Sequence, residues 1–354
     1  ILLLNILVKL YCILKIYLII IIFERGGIIM KKKLSILSSI VLAAGILAAC
    51  GDDSKGSSES GATGEGLESK IVTIATGGAS GPYNIIGTTL ADIYKNEYDV
   101  NSRTQTTGSS VENLNLINQG KVEMAFVMSD ALSQAINGEV SFKEKIESVS
   151  TIATLYPNVV QIITKADSGI KTVEDLKGKR VAVGDQNSGV EVNARTILNG
   201  HGITYDDIKV DYLGYAEAAD GLSAGTIDAA FLTSGIPNAS VMELSETLDI
   251  TLVSVDPKKV EEIAKDHPYF ISFEIKPGVY SNKESIFTAA VPNALVVRKN
   301  LSEDDVYKLT KTFYESLDKL VNSHQAAADI SLENGDVGVI GELHPGAKKY
   351  YDEK

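Results

Sequence analysis

From Ile71 onward the chain alternates short apolar runs with segments of helical period, and three of the joints between them are loops of Gly, Ser and Thr. A chain patterned this way folds as α/β, because each strand feeds a helix that packs back on the sheet. Strands are expected at Ile71–Thr76, Ser102–Thr106, Met124–Met128, Arg180–Gly184, Val210–Leu213, Asp228–Thr233 and Thr251–Val255. Helices are expected over 83–96, 111–120, Asp130–Asn137, 189–200, Ala216–Ala224, Asn238–Leu248 and 302–322, with a short helical turn at Val173–Leu176. Two longer extended pieces, Ile152–Thr164 with Pro157 inside it and Ala294–Arg298, are placed to connect two lobes. The expected division is 70–160 plus 296–354 for lobe 1 and 161–295 for lobe 2, each lobe a largely parallel sheet flanked by helices.

The segment before Ile71 does not read as part of this fold. Residues 1–29 are rich in Ile, Leu, Lys, Tyr, Asn and Phe, all with AT-rich codons, and Glu24-Arg25-Gly26-Gly27 fits a purine-rich ribosome-binding tract ahead of Met30. We expect 1–29 to be an upstream region that is not translated; the rival reading is an N-terminal membrane helix. Residues 30–49 read as an export signal: Lys31, Lys32 and Lys33, then an apolar stretch from Leu34 to Ile46 too short to span a bilayer, then Leu47-Ala48-Ala49-Cys50. Small residues before a cysteine resemble the lipobox of bacterial lipoproteins, so Cys50 is the expected lipidation site. That places the protein outside the cytoplasm, anchored through lipid at the outer face of the cytoplasmic membrane. Residues 50–69 are dominated by Gly, Ser and acidic residues and are expected to form a flexible tether.

Composition removes several classes. The chain carries a formal charge of −13, and residues 1–49 hold six Lys/Arg against one Glu, leaving −18 for the remainder. Nucleic acid binding needs clustered Lys and Arg, so nucleic acid is not an expected partner. Beyond the export signal Cys50 is the only cysteine, which excludes a disulfide and a cysteine metal site in the folded part.

The three loops carry the chemistry. They are Ala75-Thr76-Gly77-Gly78-Ala79-Ser80-Gly81, Thr106-Thr107-Gly108-Ser109-Ser110 and Gly184-Asp185-Gln186-Asn187-Ser188-Gly189. Glycine lets backbone N–H groups approach a ligand, hydroxyls add donors, and a helix start supplies unpaired N–H groups with partial positive charge. Such a loop suits a carboxylate at the C-terminal end of a strand; a single copy is better explained by capping and tight turning, and it is three copies spread over two lobes that favour binding. Gly184 and Gly189 have P-loop spacing, but Val190 stands where the lysine belongs. Four scattered histidines, no HExxH and no GxSxG leave no support for an enzyme, and no cofactor or metal is expected. Paired acids at Asp206-Asp207 and Asp304-Asp305 read as helix-start residues, and Arg195 as the partner of a nearby acid. Tyr83, Tyr156 and Phe231 are placed either to stack on a ligand or to pack in the core.

The run IATGGASGPYNIIGTTLADIY at 74–94 resembles the opening motif of the TAXI proteins, receptors of TRAP transporters, which read T-G-G-x-x-G-x-Y-Y-P-x-G after a strand; Asn84 and Ile85 replace the second Tyr and the Pro. The stretches 106–132, 169–198 and 216–244 agree in order with the same family. The resemblance implies a two-lobed periplasmic-binding-protein fold of type II. It also implies capture of a small carboxylate, such as glutamate or glutamine, and delivery to a TRAP membrane permease driven by an ion gradient. The ligand-binding residues expected are Gly78, Ser80, Tyr83, Thr107, Ser109, Asn113, Asp130, Gln186, Asn187, Ser188 and Gly189, with Asp130 either receiving an α-amino group or only capping its helix. A receptor for an ATP-driven importer and a sensory receptor are the alternatives.

Overall fold

The computed structural model describes residues 66–354; the expectations for 1–65, including the upstream segment, the export signal, Cys50 and most of the tether, lie outside the described residues. The chain runs β1 (Ile71–Ala75), α1 (Pro82–Tyr98), β2 (Asn101–Gln105), α2 (Ser110–Asn118), β3 (Met124–Met128), α3 (Ser129–Asn137) and the long β4 (Val149–Lys165). It continues through β5 (Arg180–Ala182), α4 (Gly189–Gly200), β6 (Lys209–Asp211), α5 (Tyr215–Ala224), β7 (Ala229–Ser234), α6 (Ala239–Thr247) and β8 (Ile250–Val253). The last elements are α7 (Pro257–Ala264), β9 (Ile271–Ile275), the long β10 (Ile286–Arg298), α8 (Glu303–Glu315), α9 (Leu317–Ser323) and α10 (Pro345–Asp352).

The ten strands form one sheet in the order β2-β1-β3-β10-β4-β7-β5-β6, with β8 added to β4 and β9 to β10. The flanks β2-β1-β3 and β7-β5-β6 are parallel. The two long strands between them run antiparallel to their neighbours. Each long strand serves both flanks. The first part of β10 pairs β9 and its last part pairs β3. The end of β4 pairs β7, while its start pairs β10. They cross between halves side by side, with Pro157 opposite Pro292 and a register shift directly after Pro292. Proline cannot donate to a ladder, so the hydrogen bonding is weakest where the halves join.

Strand alternation buries both faces. In the first half Val72, Ile74, Met124, Phe126, Leu295 and Val297 fill one face, and Ala75, Ala125, Val127, Ala294 and Val296 the other. In the second half Val160, Ile162, Val181 and Phe231 lie on one face, and Val159, Ile163, Ala182 and Leu232 on the other. This two-sided burial explains why the inner strands read as continuous apolar runs. The described residues fall within one compact unit.

Several expectations need correction. The tether was expected to reach residue 69, but Leu67 is buried in the first core and Asp305 accepts hydrogen bonds from the backbone of Glu68 (2.7 Å) and Ser69 (2.9 Å). The single helix expected over 302–322 is broken at Ser316. The α-helices α7 and α10 and the strand β9 have no counterpart among the expected elements. His344 precedes α10 and caps it, its Nδ1 accepting from the Gly346 N–H at 3.2 Å. Among the described residues no helix is long and apolar enough to cross a membrane.

Candidate functional site

Four strand-to-helix joints meet at one small cavity between the halves. From the first half come the β1–α1 loop (Gly77, Gly78, Gly81, Pro82, Tyr83) and the β2–α2 loop (Gly108, Ser109). The second half contributes the β5–α4 loop (Gly184, Asp185, Ser188, Val190) and the β6–α5 loop (Leu213, Gly214, Tyr215). Asn158 and Ser234 of β4 and β7 complete the lining. The space left for the centres of water-sized molecules is about 30 Å³. Parallel strands explain the convergence: all four joints lie at strand C-terminal ends, where helix N-termini gather.

The electrostatics follow from the helix starts. Gly81, Ser109 and Gly214 precede their helices without a side-chain cap, and only Ser188 caps its own, accepting from the Glu191 N–H at 3.1 Å. Unpaired first-turn N–H groups and four converging helix dipoles favour an anionic group. Among the described residues lining the cavity there is no Lys, Arg or His. There is one acid, Asp185. Partial burial raises its carboxyl above the ordinary range, and Glu217 and Glu112 beside it raise it further.

The halves touch on several sides of the cavity. The Glu112 N–H donates to Asn187 O (3.2 Å), Ser80 Oγ meets Ser240 Oγ (3.0 Å), and the Asn193 amide donates to Asp130. A Cβ on Gly189 would fall 2.8 Å from Ser110 Oγ and 2.9 Å from Met128 Sδ, so a larger residue here would push those side chains aside. These contacts describe a closed arrangement.

The expected residues fall into three groups. Gly78, Tyr83, Ser109 and Ser188 line the cavity. Ser80, Gln186, Asn187 and Gly189 belong to its loops but lie outside the lining, and Gln186 and Asn187 are exposed. Thr107, Asn113 and Asp130 are buried behind it. Thr107 Oγ1 is bonded to Thr76 O and Asn113 Oδ1, and Asn113 Nδ2 donates to Thr76 O (2.6 Å) and Phe126 O (2.8 Å), so both brace the loops. Asn84, at a substituted motif position, donates to Thr76 Oγ1 (3.2 Å) and Thr106 Oγ1 (3.1 Å) and ties the first two loops together. Tyr156 and Phe231 are core residues. Arg195 pairs with Glu191, as expected, and Arg180 with Asp228.

Sequence reading missed the fourth loop, Leu213-Gly214-Tyr215, although it repeats the strand–glycine–helix device. It also missed Asn158 and Ser234, which sit inside strands and carry no local signal. Among the described residues no group of His, Cys, Asp and Glu is arranged to hold a metal.

The NMT1-like family profile matches residues 74–354. A solved structure from Bordetella bronchiseptica RB50 aligns at 18% identity over 81% of this chain and 90% of its own, with a TM-score of 0.51. A structure described as a periplasmic transporter aligns at 13% identity over 81% of this chain and 95% of its own, with a TM-score of 0.50. The fold is that of type II periplasmic binding proteins.

Proposed function

The chain belongs to the NMT1-like family, and we propose that it is an extracytoplasmic receptor that closes two lobes, 70–160 plus 296–354 and 161–295, over a small carboxylate of the glutamate or glutamine kind. The proposal extends to delivery: the receptor hands its ligand to a TRAP-type membrane permease of the TAXI class and stays near it through lipid on Cys50. It is not an enzyme.

The observation that carries this reading is the convergence of four helix N-termini on one cavity between halves joined by two long strands. Donors in the loops bind the carboxylate without a cationic side chain, and a ligand that touches both halves favours the closed state by its contacts there. The proline-interrupted crossing of β4 and β10 supplies a place to bend. Calorimetry on the purified protein with glutamate, glutamine, succinate and glutarate tests the reading. At least one should bind and raise the melting temperature; no binding by any of them refutes it.

A further inference from the structure

Asn158 sits where β4 passes from one half to the other, is 2% exposed, and lines the cavity. Its hydrogen-bond surroundings fix which way its amide is turned. The backbone carbonyl of Tyr156 can only accept. Asn293 Nδ2 donates to it at 2.9 Å, so Asn293 Oδ1 is an acceptor. That oxygen takes the hydrogen of the Tyr83 hydroxyl. The Tyr83 oxygen is then free to accept, and Asn158 Nδ2 donates to it at 3.3 Å. One atom is left over: Asn158 Oδ1, buried and without a partner. A buried amide oxygen needs a donor.

Two lining hydroxyls have their hydrogens committed elsewhere. Ser234 Oγ donates to Gly235 O (2.9 Å) and the Tyr215 hydroxyl to Thr233 O (2.7 Å). Asp185 in the same lining also lacks a cationic neighbour, and its surroundings are Glu217 and Glu112. The cavity therefore combines anion-binding helix starts with an orphaned acceptor and an unbalanced carboxylate.

We propose that Asn158 Oδ1 accepts a hydrogen bond from an ammonium group on the ligand, so that the receptor selects amino acids over carboxylates that lack the amine. This rests on the carboxylate-receptor reading above and assigns Asn158 as a specificity-determining residue. An ammonium donates to Asn158 Oδ1 and brings positive charge into a lining whose one acid, Asp185, has only Glu217 and Glu112 named beside it; a hydroxyl donates without that charge. The relay through Tyr83 and Asn293 makes the selection directional, because the amide of Asn158 cannot present its N–H₂ to the cavity without breaking the bond to Tyr83.

The test compares L-glutamate, 2-hydroxyglutarate and glutarate by calorimetry on the full protein, its Asn158→Leu and Asn158→Asp variants, and Tyr83→Phe. Wild-type protein should bind glutamate about 10- to 100-fold tighter than glutarate, the size of one hydrogen bond to a charged group. Asn158→Leu should lose most of that preference by weakening glutamate alone, and Asn158→Asp, which keeps an acceptor, should retain it. Tyr83→Phe should narrow the preference without abolishing carboxylate binding. Equal binding of glutamate and glutarate by wild-type protein overturns the inference while leaving the receptor reading intact. Equal losses for both ligands in Asn158→Leu overturn it too, as does 2-hydroxyglutarate binding as tightly as glutamate. Failure of every ligand to bind wild-type protein brings down the receptor reading and the inference with it.

Discussion

Asp130 offers the sharpest energetic prediction. It lies in the first turn of α3 in the first half, is fully buried, and accepts the Asn193 amide of α4 through one carboxylate oxygen while the other has no partner. Burial pushes its carboxyl up from 3.8 to about 7, and the backbone N–H groups of Ala131 and Asp130 together with the Asn193 amide only partly offset this. An acid whose folded pKa is raised holds a proton in the folded state that the unfolded chain has already released, so its contribution to stability falls as pH rises between the two values. The window runs from about pH 4 to pH 7, at about 1.4 kcal/mol per unit. Asp130→Asn removes the titration and keeps both a donor and an acceptor beside Asn193, whose own Oδ1 is also unpartnered. Integrated over pH 5 to 8, the variant should gain roughly 2.5 kcal/mol of stability relative to the parent protein. Urea unfolding of both proteins across that range measures the difference directly, with every other titrating group cancelling. Parallel stability curves for the two proteins would refute the reasoning.

Gly189→Val places side-chain atoms against Ser110 and Met128 of the opposite half. It should weaken ligand binding about tenfold or more and raise the radius of gyration of the liganded protein in solution scattering. Ser188→Ala removes the cap on the Glu191 N–H and should cost about 1 kcal/mol in thermal unfolding, against no change if the cap carries no stability. Cys50→Ser should move the protein from the detergent phase to the aqueous phase in a phase partition and abolish any lipid-sized mass increment at residue 50; an unchanged partition would sink the lipid-anchor proposal.

Much of the chain was legible because its signals are local. Met124–Met128 is a strand at the expected limits, since an apolar run bounded by Lys121 and a helix-starting Ser129 leaves no other choice. The helix over 189–200 is also as expected, with the Ser188 cap and the apolar positions Val190, Ala194, Ile197 and Leu198 on one side. The missed α7 has few apolar residues in PKKVEEIA, although Asp256 as cap and Pro257 in the first turn are standard start signals. Strand β9 is largely exposed and exists because it pairs the start of β10. The break at Ser316 was hidden by apolar periodicity that continues on both sides, through Leu309 and Phe313 to Leu320.

The site divides in the same way. The sequence by itself determined that three loops of Gly, Ser and Thr would stand at strand ends before helices, because glycine, hydroxyl and capping preferences act over a few residues. It also determined the acidic balance and the absence of a P-loop lysine. Only the tertiary structure decided which members of those loops reach the cavity: Gly78, Tyr83, Ser109 and Ser188 line it, while Thr107 and Asn113 brace the backbone behind it. It alone placed Asn158 and Asn293 on either side of the Tyr83 hydroxyl, from positions 75 and 210 residues away in sequence. The reason is physical: a buried amide's orientation is set by the proton order of all its neighbours, and those neighbours are assembled only when two long strands cross beneath the loops.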